Sequence, residues 1–285
     1  MVKRTLHLIL AIAVWSVGCS TKPDSTLGSS AAMEGSTYDV LLSSEIQWQK
    51  LNPARGDQSP QAGTIWGDRQ GSVATGFLAK FVDGFSSPPH IHNVTYRAVV
   101  IKGTIHNDGP QAEPMWMKPG SFWTQPLGEA HITAAQGAEC IAYVEIDRGP
   151  YLVKPTDEAF DNGERPVNID ASNVVWLTAN ETSWVETGSG AELSFLWQDA
   201  ENKGLFIKLP VGFAGRIISS GPRLRAVVIQ GDLAYEEPNS TEVKNLDPGS
   251  YFTSTDQAVH TVRNEAQQHV LLYVRTRGDL QVRSL

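Results

Sequence analysis

The chain has 285 residues, 41% of them hydrophobic, and its 31 acidic against 23 basic side chains give a formal net charge of −8. The basic residues form no cluster, so this balance argues against a nucleic-acid footprint and against electrostatic adhesion to anionic lipid. The length suits two domains of ordinary size.

Lys3 and Arg4 open the chain, residues 6–17 form an almost uncharged apolar run, and Gly18-Cys19 offers a small-residue processing site. The run is shorter than the ~20 apolar residues that span a bilayer, so residues 1–19 are expected to be a cleaved targeting segment. This segment resembles a bacterial lipoprotein signal with Ser16-Val17-Gly18-Cys19 as the lipobox, although Ser16 replaces the usual Leu. The resemblance implies lipidation of Cys19 and a periplasm-facing, lipid-anchored place in the bacterial cell envelope, at the outer membrane; the alternative is an ordinary secretory signal cleaved nearby. Residues 20–37 are rich in Ser, Thr and Ala without apolar periodicity and read as a flexible tether. With Cys19 acylated, Cys140 is the only thiol left, which excludes an intramolecular disulfide framework.

Short runs rich in Val, Ile, Phe and Tyr follow at 72–82, 94–101, 139–146, 204–209, 225–229 and 269–275, bounded by Gly, Pro, Asn and Asp. No long helical period interrupts them. This is the pattern of an all-β sandwich or barrel.

A repeat then sets the architecture. Arg97-Ala98-Val99-Val100-Ile101-Lys102-Gly103 returns as Arg225-Ala226-Val227-Val228-Ile229-Gln230-Gly231, and Lys118-Pro119-Gly120-Ser121-Phe122 as Asp247-Pro248-Gly249-Ser250-Tyr251. The offset is 128 residues from Gly84 to Gly103 and 129 from Pro119 to His131. Two copies in register indicate duplication. The expected domains are 38–150 and 168–285, joined by a linker at 151–167 and packed as a pseudo-dimer.

Chemistry survives in one copy only. In the first, Gly84 is followed by His90, His92, Tyr96 and Gly103, and Gly120 by Pro126, Gly128 and His131. In the second, the same spacing reads Gly212, Ile218, Ser220, Leu224 and Gly231, then Gly249, Thr255, Gln257 and His260. His90 and His92 are two residues apart, so on a strand both face the same side, and Tyr96 shares their parity. With His131 from another strand they would form a three-nitrogen set that leaves coordination positions open, the arrangement of a reactive metal.

This frame resembles the two motifs of the cupin superfamily over nearly the whole mature chain, as a bicupin of two jelly-roll barrels. Tyr96 stands where the motif expects Glu, and Ala135 where it expects Asn. The resemblance is nearest to an uncharacterised cupin family related to the cupin domain of ChrR-type anti-sigma factors. It implies one divalent transition metal on His90, His92 and His131, of unassigned identity because imidazole suits Fe, Zn, Ni, Cu and Mn alike. It specifies fold rather than reaction, since cupins host dioxygenases, isomerases, lyases, storage proteins and sensors.

The remaining candidates carry weaker signals. A lone His on a strand is usually a packed residue; three at all three motif positions are not so easily dismissed, whereas His260, without its partners, reads as structural. His106 and His269 fit no spacing. Tyr96 has three readings open: ligand, proton donor beside the metal, or barrel filler. Trp66, Phe77, Trp116 and Trp123 are candidate pocket walls, Glu129 a rim carboxylate or base, and Lys80, matched by Lys208, a structural lysine. Two functions compete: a metal-dependent enzyme of dioxygenase, lyase or isomerase type acting on a small anionic or oxygen-rich molecule, and a non-catalytic ligand- or metal-sensing module. The chain is expected to act as a monomeric bicupin or a homodimer.

Overall fold

The computed structural model describes residues 36–285. The signal segment, Cys19 and all but the last two residues of the tether lie outside the described residues. Apart from short 3-10 turns, every regular element described is a strand.

Each half folds as a jelly-roll barrel, so the chain carries two in tandem. The first is built on a seven-stranded sheet whose central members are Tyr96–Asp108, Ile132–Ile146 and Thr75–Phe81. The second has a six-stranded sheet centred on Arg223–Gln230 and Val270–Arg277, faced by a five-stranded sheet that includes Ala214–Ser219 and Ala258–Arg263. The repeat is visible in the backbone. Gly103 and Gly231 both take left-handed φ, 70° and 77°, at the end of equivalent segments. A side chain there would strike Cys140 or the Glu139 carbonyl in one barrel and the His269 carbonyl in the other, so the position is closed to anything but glycine.

The halves are not separate along the chain. Tyr38–Leu41, which precedes the first barrel, pairs antiparallel with Tyr251–Thr255 of the second. Val167–Ile169, which precedes the second, pairs with Phe122–Gln125 of the first. Each half thus lends its leading strand to the edge of the other barrel. That exchange covers edges that would otherwise be exposed.

Three apolar clusters follow from this arrangement. One fills each barrel, and a third, with Leu78, Val99, Phe122 and Tyr143 from one half against Phe206, Val227, Tyr251 and Tyr273 from the other, forms the seam. Trp66 lies in this seam, where its indole N–H donates to the Tyr143 hydroxyl (3.2 Å). Trp197 does the same to Tyr273 at 2.8 Å. Trp66 is therefore an interface residue and not a pocket wall.

Candidate metal centre

The sequence places His90 and His92 beside a Pro88-Pro89 step, and the structure shows what that step does. Ser86 bridges Ala134, yet His90 bridges His131, so four steps along one side span three on the other. In the second barrel Ala214 pairs with Arg263 and Ile217 with His260, three steps against three. Proline cannot donate to a ladder, and the surplus residue is taken up as a bulge. The bulge turns His90 and His92 inward. Without it, Ile217 and Ser219 face the interior of the second barrel, while Ile218 is half-buried and Ser220 exposed. The expectation that Ile218 and Ser220 occupy the matching positions is thus corrected by one residue.

His90, His92 and His131 converge: one ring nitrogen from each lies within 4.8 Å of the others. Backbone carbonyls orient all three rings. Nδ1 of His90 lies 2.9 Å from the Pro88 carbonyl, that of His92 3.0 Å from Leu152, and that of His131 3.2 Å from Glu129. A carbonyl only accepts, so each Nδ1 carries the proton and each Nε2 keeps a lone pair. Carbonyl-fixed imidazoles of this kind are how proteins present histidine to a metal. Burial pushes His131 down to about 3 and His92 well below the usual histidine value, with the neighbouring imidazoles adding to the effect, and lowers His90. All three are neutral near pH 7, as ligation requires. The donor set therefore fits a divalent transition metal.

Two phenols complete the centre. Tyr151, from the segment expected to be only a linker, stacks on His92 with ring centroids 4.4 Å apart, and its hydroxyl lies 3.1 Å from His92 Nε2. Val153–Lys154 pairs with Ile91–His92 and holds this segment across the site. Nothing in the local sequence marks Tyr151, 59 residues from His92; only the pairing brings it there. Tyr96 is buried inside the barrel. Its hydroxyl donates to Asn107 Oδ1 (2.9 Å) and lies 3.4 Å from His131 Nε2. Asn107 also accepts from Thr133 (2.7 Å) and donates to Gln125 (3.0 Å). The Tyr96 phenol is thus anchored on the buried side rather than aimed at the pocket mouth, and burial raises it to about 12.

His90 and His92 line a cavity of about 340 Å³ whose walls include Phe77, Phe81, Phe85, Trp123 and Val144. Phe77 and Trp123 are the walls expected from sequence, whereas Trp116 packs beside His106, ring centroids 6.1 Å apart. Glu129 contributes its carbonyl to His131 and lines a separate groove with Phe160 and Arg165 rather than the histidine cavity. Lys80 pairs with Glu139 and Lys208 with Glu192, both structural. His260 is fully buried, its two nitrogens each 2.9 Å from the Tyr235 and Ser254 hydroxyls. It is a packed remnant of the site.

This architecture, two tandem jelly-roll barrels, is the fold that the motif resemblance implied, and one barrel holds the histidine cluster. A profile described as a domain of unknown function (DUF4437) matches residues 39–283, and the chain belongs to that family. Among solved structures it is similar to a candidate dioxygenase from Nostoc punctiforme at 15% identity and TM-score 0.65, with 87% of this chain and 86% of that one covered. It is also similar to an oxalate decarboxylase from Lactobacillus farciminis, solved as a formate complex, at 11% identity and TM-score 0.57 over 86% and 88% of the two chains. Procruciferin, an 11S globulin from Brassica napus, aligns at 10% identity and TM-score 0.55 over 87% and 86%. No curated protein matches the chain. At such identities the likeness concerns the fold.

Proposed function

We propose that His90, His92 and His131 hold one divalent transition metal and that the protein is a metal-dependent enzyme of dioxygenase, lyase or isomerase type. Its substrate would be a small anionic or oxygen-rich molecule. The observation that carries this reading is the set of three Nδ1–carbonyl hydrogen bonds, which leaves an Nε2 lone pair on each of three clustered histidines, two of which line a cavity. When bound, the metal supplies Lewis-acid stabilisation of negative charge on a substrate oxygen. Three neutral imidazoles leave its charge uncompensated, which favours an anion.

The protein's own groups have separable tasks. Tyr151, whose hydroxyl faces the centre, orients or protonates the bound group. Tyr96, its hydroxyl proton given to Asn107, packs beside His131 and leaves the Nε2 lone pair to the metal. The aromatic walls exclude water. The cavity argues against a module that senses the metal alone, and the substrate screen separates turnover from ligand sensing. We further propose that the chain is lipid-anchored through Cys19 and faces the periplasm. A substrate screen on metal-loaded protein, with His131→Ala as control, tests the enzymatic reading: turnover lost in the control supports it, and turnover equal in both contradicts it.

A further inference from the structure

We infer that Arg55 is the substrate's anion-recognition residue, so that this cavity takes a monocarboxylate with an apolar, ring-sized body. The inference rests on the proposed reading of the histidine centre as a substrate site. Among the described residues lining the cavity, Arg55 is the only charged side chain; the rest of the lining is aromatic, aliphatic or neutral polar. Its guanidinium lies 5.2 Å from the centroid of the Phe85 ring, on the wall shared with the histidines. Among the described residues no carboxylate lies within ion-pair distance of it, whereas Arg97, Arg165, Arg263, Arg275 and Arg277 each pair with one; of the arginines without such a partner, Arg55 is the one that lines this cavity. An arginine held on an apolar wall without a counter-charge is available to a ligand carboxylate, which its planar fork matches.

The local structure holds Arg55 there. It sits in the 3-10 segment Pro53–Gln58, which starts at an Asn52 cap on the Ala54 N–H (3.2 Å). The segment is closed at its base by Leu51 N–H to the Pro60 carbonyl (2.8 Å) and Asn52 N–H to Ser59 Oγ (3.0 Å). Between Arg55 and the histidines the walls are Phe77, Phe81, Phe85, Ala142 and Val144, and the rim carries exposed Leu51 and Val153. These surfaces suit an apolar body. The volume, about 340 Å³, is at the small end of ligand sites, which fits one ring or a short branched chain. A single guanidinium with no second cationic side chain beside it matches one carboxylate better than a phosphate dianion.

The test uses phenylacetate and its neutral counterpart phenylacetamide as probes, titrated calorimetrically into full-length mature protein, metal-free and zinc-loaded. Wild type should prefer the carboxylate. Arg55→Gln should weaken phenylacetate about 10- to 150-fold, the cost of one charge-assisted hydrogen bond, and leave phenylacetamide unchanged. Arg55→Lys should recover part of the loss. Arg55 is exposed, so an unaltered melting temperature is expected and rules out misfolding as the cause. Absence of carboxylate preference in wild type, whether through equal binding or none, overturns the inference, as does Arg55→Gln binding both probes like wild type. If zinc fails to bind but the Arg55 effect persists in metal-free protein, the metal reading falls and this one stands.

Discussion

Glu145 and Arg275 occupy equivalent places in the two halves and bind each other across the seam. Glu145 pairs in its sheet with Arg97, and Arg275 with Arg225, the repeat partner of Arg97. The two side chains meet at 3.3 Å with Glu145 fully buried. Tyr143 and Tyr273, themselves equivalent, both donate to the Glu145 carboxylate, at 2.9 and 2.8 Å. In a symmetric homodimer this position would face its own copy, and two identical buried charges would repel. A complementary pair is open only to a fused chain whose halves have diverged. Replacing Arg275 with Met should strand a buried carboxylate and cost about 3–5 kcal/mol, read by urea denaturation. Adding Glu145→Gln to that variant should recover a substantial part.

The two tyrosines of the metal centre should separate. The Tyr151 hydroxyl occupies His92 Nε2, a nitrogen the metal must use. Tyr151→Phe removes that competitor and should tighten zinc binding several-fold, since a hydrogen bond of this kind contributes roughly 0.5–1.5 kcal/mol. Weaker binding in this variant would make the phenol a ligand instead. Tyr96→Phe, which loses the bond to Asn107, should keep full metal stoichiometry and lower stability by about 1 kcal/mol.

Acid should destabilise the second barrel through His260. Burial holds this imidazole at about 3, well under its unfolded value near 6.5. Its neutral form is accommodated in the fold and its charged form is not. The stability is therefore fully present above about pH 6.5 and is lost as pH falls toward 3, where the unfolded chain binds a proton that the folded chain refuses. His260→Gln, able to bond both hydroxyls, should reduce the pH dependence of the urea midpoint in that window, leaving the part that His92 and His131 contribute.

The bulge at Pro88-Pro89 predicts how a second site could be restored. Ile217→His with Ser219→His places both imidazoles inside the second barrel near His260 and should raise bound zinc by up to one equivalent per chain. Ile218→His with Ser220→His, the pair that simple spacing suggests, should add none. Equal zinc content in the two double variants would refute the register argument.

The fold and the histidines were legible because both depend on spacing: left-handed glycines recur at 128 and 129 residues, and ligands two apart on a strand share a face. Tyr151 was not, because a residue from an irregular linker reaches the site only after Val153–Lys154 pairs with Ile91–His92. Nor was the exchange of Tyr38–Leu41 and Val167–Ile169, since a four- or three-residue edge strand carries no local signal of which sheet it will join. The one-residue slip between the barrels was foreshadowed by Pro88-Pro89, but a constant sequence offset conceals a bulge that adds no residue to the chain.

The central claim is that three carbonyl-anchored imidazoles bind one metal. Elemental analysis of protein purified from its native cells, beside His92→Ala and His131→Ala variants prepared identically, measures this. The account predicts about one equivalent of a single divalent transition metal per wild-type chain and its loss from both variants, with melting temperatures showing that both still fold. Wild-type protein without metal, or variants that retain the wild-type content, would contradict it.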